Sequence, residues 1–207
     1  AYYYDREPER ARMIIRRVLR VSDRSEERAL AYNLSGVMAL HNSDEAAAID
    51  FFKKAVDADP DLAEAYSNWG NALLKEHRIE DAIAKYEQAI DIDPEFASAY
   101  ANIADAYMRS GRTEEAIDKY NTAIAIDPEI AYAYANIGDA YARIGDRREA
   151  LGDAEGKQAA YAKAFDYFRE ATEIERDLVF AHVSWGNALA RLDRVDEARS
   201  RLETARV

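Results

Sequence analysis

The residues best suited to acid–base or metal chemistry are few in this 207-residue sequence, and they stand far apart. The three histidines are His41, His77 and His182, and none has an acidic residue at the spacing of a metal site or catalytic pair. There is no cysteine, no glycine-rich phosphate loop and no Ser-His-Asp arrangement. We place His41 and His77 at or near hairpin turns and His182 in a core or between repeats. The sequence therefore predicts a non-enzymatic protein without a metal or cofactor.

Recognition of a peptide is a different chemistry, and polar residues recurring at i, i+4, i+7 and i+11 suggest it. This spacing follows one face of a helix. Amide side chains there offer a donor and an acceptor to an extended peptide, and carboxylates suit its lysines and arginines. The stripes are Glu64, Asn68, Asn71 and Lys75; Ser98, Asn102, Asp105 and Arg109; Tyr132, Asn136, Asp139 and Arg143; and Phe180, Ser184, Asn187 and Arg191. The aromatic members, Tyr132 and Phe180, would add apolar contacts.

The same residues also have a purely structural interpretation. Asparagines on a helix face can keep a protein soluble or hydrogen-bond between neighbouring helices. The four cations fall in the last turn of their predicted helices, where the helix dipole favours positive charge. We therefore assign Lys75, Arg109, Arg143 and Arg191 to the rim of the candidate surface and the other residues to its centre.

Composition narrows the class of protein that must position these side chains. Hydrophobic residues make up 49% of the chain, too many for disorder, and only 4 prolines and 8 glycines occur, which favours helix. The net charge of −12 disfavours nucleic acid as a partner. No apolar run is long enough to predict a membrane span. The composition leaves the compartment open, with a slight preference for the cytoplasm.

An internal repeat of 34 residues organises the chain. Three kinds of residue follow the same grid, which does not arise by chance. They are Pro60, Pro94 and Pro128; Gly36, Gly70 and Gly138, with Ala104 at the missing step; and Tyr32, Tyr66, Tyr100 and Tyr134.

Each repeat is predicted to form two helices. Asp59 is predicted to cap the first helix of the second repeat, with Pro60 in its first turn. Gly70 would allow a neighbouring helix to come close. In the second helix, Ala82 and Ala89 would make close contacts, with Tyr86 between them. One such hairpin cannot cover its own apolar faces, so the hairpins must stack.

These residues resemble the tetratricopeptide repeat (TPR) family over about residues 29–207. The pattern is met in the second repeat by Trp69, Gly70, Leu73, Ala82, Tyr86, Ala89 and Pro94. The resemblance implies an all-α, right-handed superhelical solenoid of about five repeats, whose first helices line a groove for a peptide or helix. The asparagines resemble the ladder that peptide-binding members of such repeats carry. A carboxylate clamp is not expected, because Asn33, Glu64, Ser98 and Ala101 occupy its region without a cation.

The predicted organisation is a capping helix or partial repeat in residues 1–28, then repeats at 29–62, 63–96, 97–130, 131–178 and 179–207. The fourth repeat is 14 residues longer, since Gly186 follows Gly138 by 48 residues instead of 34. We expect the insertion between Gly145 and Ala164. Fourteen residues are close to four helical turns, which a longer helix could absorb. Gly152 and Gly156 favour instead a loop or short helix at 150–156, with the second helix starting near Lys157. The insertion is either a neutral lengthening of the hairpin or a contact for a partner.

The first predicted helix runs from Pro8 to Val21, with Ile14, Val18 and Val21 on one side and Ile15 and Leu19 adjacent to them. It could cap the stack or lie on an anionic membrane. Three functions remain open at this point. The chain is an adaptor that binds a partner peptide, favouring basic segments; or a scaffold that self-associates through its repeat ends; or the regulatory part of a larger enzyme.

Overall fold

The computed structural model describes residues 8–205, which form eleven α-helices and no strand. None of the helices in this range is both long and apolar enough to cross a membrane. In chain order the helices are α1 (Pro8–Val21), α2 (Ser25–His41), α3 (Glu45–Ala58), α4 (Ala63–Lys75), α5 (Ile79–Ile92), α6 (Ala97–Arg109), α7 (Thr113–Ile126), α8 (Ala131–Ala150), α9 (Ala154–Ile174), α10 (Val179–Ala190) and α11 (Val195–Thr204).

The chain packs as two compact units whose boundary lies inside α6, between Asn102 and Ile103. Unit 1 contains α1, the hairpins α2–α3 and α4–α5, and the first half of α6. Unit 2 contains the second half of α6 with α7, and the hairpins α8–α9 and α10–α11. This all-α arrangement of helix hairpins confirms the predicted fold class.

The hairpin turns share one conformation. Each contains a residue with a positive φ angle: Ser43 (57°), His77 (61°), Gly111 (80°), Gly152 (74°) and Asp193 (57°). A left-handed residue at this point ends the first helix and lets the second return alongside it. The turn residue need not be glycine, although glycine adopts this conformation at the lowest cost.

The turns between repeats correct one prediction. Asp59 is the C-cap of α3, and its carboxylate accepts from Asp61 N at 3.1 Å within the turn. Helix α4 begins at Ala63 with Leu62 as its N-cap, so the prediction that Asp59 caps this helix is wrong. Pro60 lies in the turn, because proline cannot continue α3. The Asp59 carboxylate then accepts a backbone N–H in place of the hydrogen bonds that the helix no longer forms.

Three of the hairpins, α2–α3, α4–α5 and α8–α9, are closed by an aromatic ring against a glycine. A Cβ atom at Gly70 would lie 2.4 Å from Cε1 of Tyr86, and one at Gly36 would lie 2.4 Å from Cε1 of Phe52. Both rings are fully buried. The glycines are therefore needed for the close approach of two helices in one hairpin, as the sequence predicted for Gly70.

The 14 extra residues of the fourth repeat are divided equally between its two helices. Helix α8 has 20 residues where α4 has 13, and α9 has 21 where α5 has 14. Each arm has gained seven residues, which is about two turns of α-helix. The predicted loop or short helix at 150–156, and a second helix starting near Lys157, are wrong, because α8 continues to Ala150 and α9 starts at Ala154.

The added residues repeat the packing of the hairpin that they extend. A Cβ atom at Gly138 would lie 2.6 Å from Phe168, and one at Gly145 would lie 2.7 Å from Tyr161. The second pair stands seven residues nearer the turn on both arms, and Tyr161 is fully buried. The insertion is therefore a second copy of the ring-against-glycine contact.

Helix α1 has the predicted bounds but a different buried face. Ile15 is buried and packs with Ala11, Val18 and Leu19, whereas Ile14 is 54% and Val21 66% exposed. The predicted face of Ile14, Val18 and Val21 is thus wrong for two of its three residues. Hydrophobic periodicity alone could not choose between the adjacent Ile14 and Ile15.

Candidate partner-binding surface

The predicted asparagine row lies between consecutive first helices. In unit 1, Asn68 Nδ2 donates to Asn33 Oδ1 at 3.0 Å, and Asn102 Nδ2 donates to Ser67 Oγ at 3.1 Å. In unit 2, Asn136 Nδ2 donates to Asp105 Oδ1 at 3.1 Å. These are the inter-helix hydrogen bonds that the sequence left open as the structural interpretation. One N–H of each amide is therefore committed to the scaffold, and a partner-binding role stays a prediction.

The next row forms hydrogen bonds within the hairpins. Tyr86 Oη donates to Asn71 Oδ1 at 2.8 Å, and Tyr120 Oη donates to Asp105 Oδ1. The two partners stand 15 residues apart in both cases. Asn71 and Asp105 thus each accept a hydrogen bond from the hydroxyl of a buried tyrosine. Each directly follows a small residue in the sequence, which leaves room for the tyrosine ring beside it.

Asp105 is the most unusual ionisable group of the surface, because it is partly buried and accepts from both Tyr120 and Asn136. Burial raises the pKa of Asp105, against the opposing effects of the Tyr120 hydroxyl and the Arg109 charge. Burial and the charges of Asp105 and Asp127 raise the pKa of Tyr132 to about 12. Tyr132 is therefore neutral at physiological pH.

The raised pKa of Asp105 gives a testable pH dependence. The folded chain holds this proton more tightly than the unfolded chain, so stability falls as pH rises between the unfolded and folded pKa values. We expect Asp105→Asn, which keeps an acceptor for Tyr120, to raise Tm at pH 7.5. The gain should shrink as pH falls from the folded pKa towards the unfolded pKa of Asp105, and disappear below the unfolded value. Thermal unfolding from pH 4 to 7.5 checks this, with about 2–4 °C expected for each kcal/mol.

The control is Asp118→Asn, which changes an exposed carboxylate on α7 and should leave Tm nearly unchanged. Lower stability of Asp105→Asn than of the unmodified chain at pH 7.5 would mean that the hydrogen bond from Tyr120 outweighs the burial of the charge.

Asp139 and Asn187 differ from the other members of their row, because no tyrosine hydroxyl holds them. Phe168 stands where Tyr86 and Tyr120 stand in earlier hairpins, and Leu202 lies against Gly186 in the last. Asp139 Oδ2 instead accepts from Arg143 Nε at 2.9 Å, and Asn187 is exposed. Asn187 is thus open to solvent, and the Asp139 side chain, which is 31% exposed, has a surface arginine as its partner.

Three of the four rim cations, Lys75, Arg143 and Arg191, contact oxygen atoms of the scaffold. Lys75 Nζ lies 3.3 Å from the Leu40 carbonyl oxygen, at the end of the preceding first helix. Arg191 pairs with Asp146 of α8, and Arg143 pairs with Asp139. The positive charge of Lys75 therefore interacts favourably with the C-terminal end of a neighbouring helix as well as with that of its own helix.

The remaining predicted residues are accessible to different degrees. Glu64 and Ser98 are exposed, Phe180 is 44% exposed, and Tyr132 is partly buried. An exposed phenylalanine beside polar residues is suited to an apolar contact with a partner.

Sequence reasoning missed the part of the surface that the insertion creates. Asp146 accepts from Tyr161 Oη and pairs with Arg191, while Arg147 donates to Thr113 Oγ1 at 3.1 Å and lies 3.3 Å from Glu114. The sequence did contain a signal for this contact, because the pair Gly145-Asp146 repeats the pair Gly138-Asp139. Asp146 also precedes Tyr161 by 15 residues, the spacing of the other hydrogen-bonded tyrosine pairs described above. Only the known hairpin geometry gives that spacing a meaning.

The histidines lie where the sequence placed them. His41 ends α2, and His77 is the left-handed residue of a turn. His182 is buried at 4% exposure, and its Nε2 lies 2.9 Å from the Arg176 carbonyl oxygen. All three serve the scaffold at helix ends, turns or core.

Comparisons with known proteins agree with this architecture. A family model for the TPR repeat matches residues 70–111 and 104–145, and one for the tetratricopeptide repeat matches residues 1–63. No curated protein matches the chain. The solved structure of MamA is 25% identical, with a TM-score of 0.60, over 82% of this chain and 91% of MamA.

Two further solved structures share the fold at lower identity. PilF of Pseudomonas aeruginosa is 20% identical, with a TM-score of 0.70, over 87% of this chain and 76% of PilF. YrrB, described as a TPR protein with an unusual peptide-binding site, is 17% identical, with a TM-score of 0.58, over 92% of this chain and 90% of YrrB.

Helix hairpins closed by a ring against a small residue, together with these matches, define the class: an all-α repeat scaffold for interaction with other proteins. The chain belongs to the tetratricopeptide repeat family. Members with this fold are typically non-enzymatic scaffolds.

Proposed function

We propose that the chain is an adaptor that binds a segment of a partner protein along its first helices, and that unit 2 recognises a lysine or arginine of that segment. The observation that supports this most directly is Asp139, a carboxylate in the row that no tyrosine hydroxyl holds. Its nearest cation, Arg143, belongs to an i, i+4 surface pair. Such pairs contribute only about 0.3–0.5 kcal/mol, so a partner's cation can replace Arg143 at little cost.

Helix α10, which packs against α8, supplies other contacts that a peptide needs. Asn187 on α10 is an exposed amide with a donor and an acceptor, and Phe180 offers an apolar surface on the same helix. The net charge of −12 attracts basic segments over longer range. The shared fold with YrrB adds that such repeats can carry a peptide site.

Selection of peptides from a random displayed library by the intact chain tests the proposal. We expect the selected peptides to be rich in lysine and arginine and to bind less tightly as salt is raised. Asp139→Asn should weaken binding of a selected peptide about tenfold, since a hydrogen bond to a charged group is worth about 1.5–3 kcal/mol. Fluorescence anisotropy of the labelled peptide measures the affinity.

Asp118→Asn is the matched control, because it removes a carboxylate from a second helix of the same unit. Equal losses in both variants, or selected peptides that are acidic, would contradict the proposal. A mass that rises with concentration in light scattering would favour self-assembly instead.

A further inference from the structure

A cleft of about 350 Å³ lies in unit 1 between α1, α2 and α3. Its lining is largely apolar and includes Ile15, Leu19, Met38 and Phe51, with the arginines Arg12 and Arg16 beside them. Ser35 also lines the cleft, and its hydroxyl donates to the Ala31 carbonyl oxygen at 2.8 Å. The serine is thus satisfied within its own helix and leaves the space above it open.

In the second repeat, the position equivalent to Ser35 carries a side chain large enough to fill the corresponding space. The residue 34 positions after Ser35 is Trp69. The Nζ atoms of Lys85 and Lys53 lie 4.0 Å and 5.8 Å from the centre of the Trp69 ring. On the same 34-residue grid, Lys85 corresponds to Phe51 and Lys53 to Leu19, and both of these line the cleft.

The last repeat gives the same answer independently. Trp185 occupies the corresponding position there, and its ring centroid lies 6.4 Å from that of Phe165 in a stacked arrangement. The Arg201 guanidinium lies 3.5 Å from the centre of the Trp185 ring. Phe165 and Arg201 correspond to Ile15 and Phe51, which line the cleft. Two repeats therefore fill with an indole the space that Ser35 leaves empty.

The charge beside the cleft indicates the surroundings of its ligand. Helix α1 carries five arginines and one glutamate in a chain whose net charge is −12. Arg12 pairs with Glu9 at 2.8 Å, whereas Arg16, Arg17 and Arg20 have no carboxylate partner in residues 8–205. A ligand with carboxylates near its aromatic group would be attracted, and the arginines would also favour the face of its ring.

We propose that this cleft binds an aromatic side chain, best a tryptophan, from an acidic segment of a partner protein. The occupant takes the place of the indole that Trp69 and Trp185 supply in their own repeats. This site does not depend on the proposed function of the first-helix surface, because none of its residues belongs to that surface.

Binding of a fluorescein-labelled heptapeptide, with a central tryptophan flanked by two glutamates on each side and a glycine at each end, tests this in the full chain. We expect saturable binding by anisotropy, and a loss of at least tenfold when alanine replaces the tryptophan. Ser35→Trp should abolish binding with Tm unchanged or higher, since two repeats already accept tryptophan there. Arg16→Glu should weaken binding and reduce its salt dependence.

Four results would overturn the proposal. The first is unchanged binding by Ser35→Trp, and the second is equal binding of a peptide whose glutamates are replaced by lysines. The third is much tighter binding when Tyr2, Tyr3 and Tyr4 are all replaced by alanine, which would assign the cleft to the chain's own tyrosines. N-acetyltryptophanamide that binds as tightly as the peptide would likewise remove the requirement for an acidic segment.

Discussion

Deleting residues 144–150 together with residues 154–160 is expected to leave unit 2 folded, whereas either deletion alone is expected to abolish its cooperative unfolding. The double deletion keeps the turn at 151–153 and places Gly138 and Phe168 16 residues apart, as Gly70 and Tyr86 are. A single deletion keeps one ring-against-glycine pair beside the turn, Tyr161 with Gly138 or Phe168 with Gly145, but it leaves one arm seven residues longer than the other at the base. The longer arm displaces α10 from its packing against α8 by about two turns of helix. Thermal unfolding followed by circular dichroism distinguishes the outcomes.

The double deletion should still lower Tm, because it removes Gly145 from Tyr161 and Asp146 from Arg191. Its transition should nevertheless be single and steep. Limited proteolysis provides the second measurement, with rapid cleavage within unit 2 expected for the single deletions only. If a single deletion unfolds as cooperatively as the unmodified chain, the two arms are not held in register by these contacts.

Replacing Phe168 by alanine is expected to destabilise unit 2 by about 3–5 kcal/mol, the usual cost of removing a fully buried ring. Phe168 is 0% exposed and lies against the position of Gly138. Replacing it by tyrosine should be nearly neutral, because the new hydroxyl would stand near Asp139 as that of Tyr86 stands near Asn71. Denaturant unfolding measures both changes in free energy.

The tyrosine variant also connects stability with binding. A hydroxyl that donates to Asp139 would compete with the cation of a partner, so Phe168→Tyr should weaken binding of the basic peptides selected above. A stable Phe168→Tyr chain that binds those peptides unchanged would place their recognition elsewhere than Asp139.

The repeat and its two-helix unit could be predicted because identical residue types return every 34 positions. Gly70, Ala82 and Tyr86 identified the closely packed faces, and the structure places them there. The fold class was accessible for the same reason, since an amphipathic hairpin that cannot cover its own faces must stack.

The hydrogen bonds of the candidate surface could not be predicted in this way. The stripe pattern shows that Asn68, Asp105 and Asp139 share a helix face, but it does not show which neighbour reaches them. Asp105 and Asp139 have the same place in the repeat, yet one holds a tyrosine hydroxyl and the other an arginine. The difference depends on whether Tyr120 or Phe168 lies opposite, in another helix of the hairpin.

The insertion was located only approximately for a related reason. Fourteen extra residues could form one long helix, a loop or two shorter extensions, and Gly152 and Gly156 favoured a loop. Gly152 is indeed the left-handed residue of the turn, whereas Gly156 lies in the first turn of α9, where its N–H donates to Asp153 Oδ1 at 2.8 Å. Local composition does not distinguish a glycine in a turn from one at a helix start.

Equal growth of α8 and α9 shows how the reach of one module can vary independently of the rest of an array. Each heptad added to both arms moves the tip outward by about 10 Å, while the base of the hairpin keeps its side chains in place. A further seven-residue extension could carry Gly-Asp in α8 and a tyrosine in α9. It would place a tag or a second recognition element at a chosen distance from the base of the hairpin. Natural chains of this kind could acquire new contacts by the same route, without altering the repeats on either side.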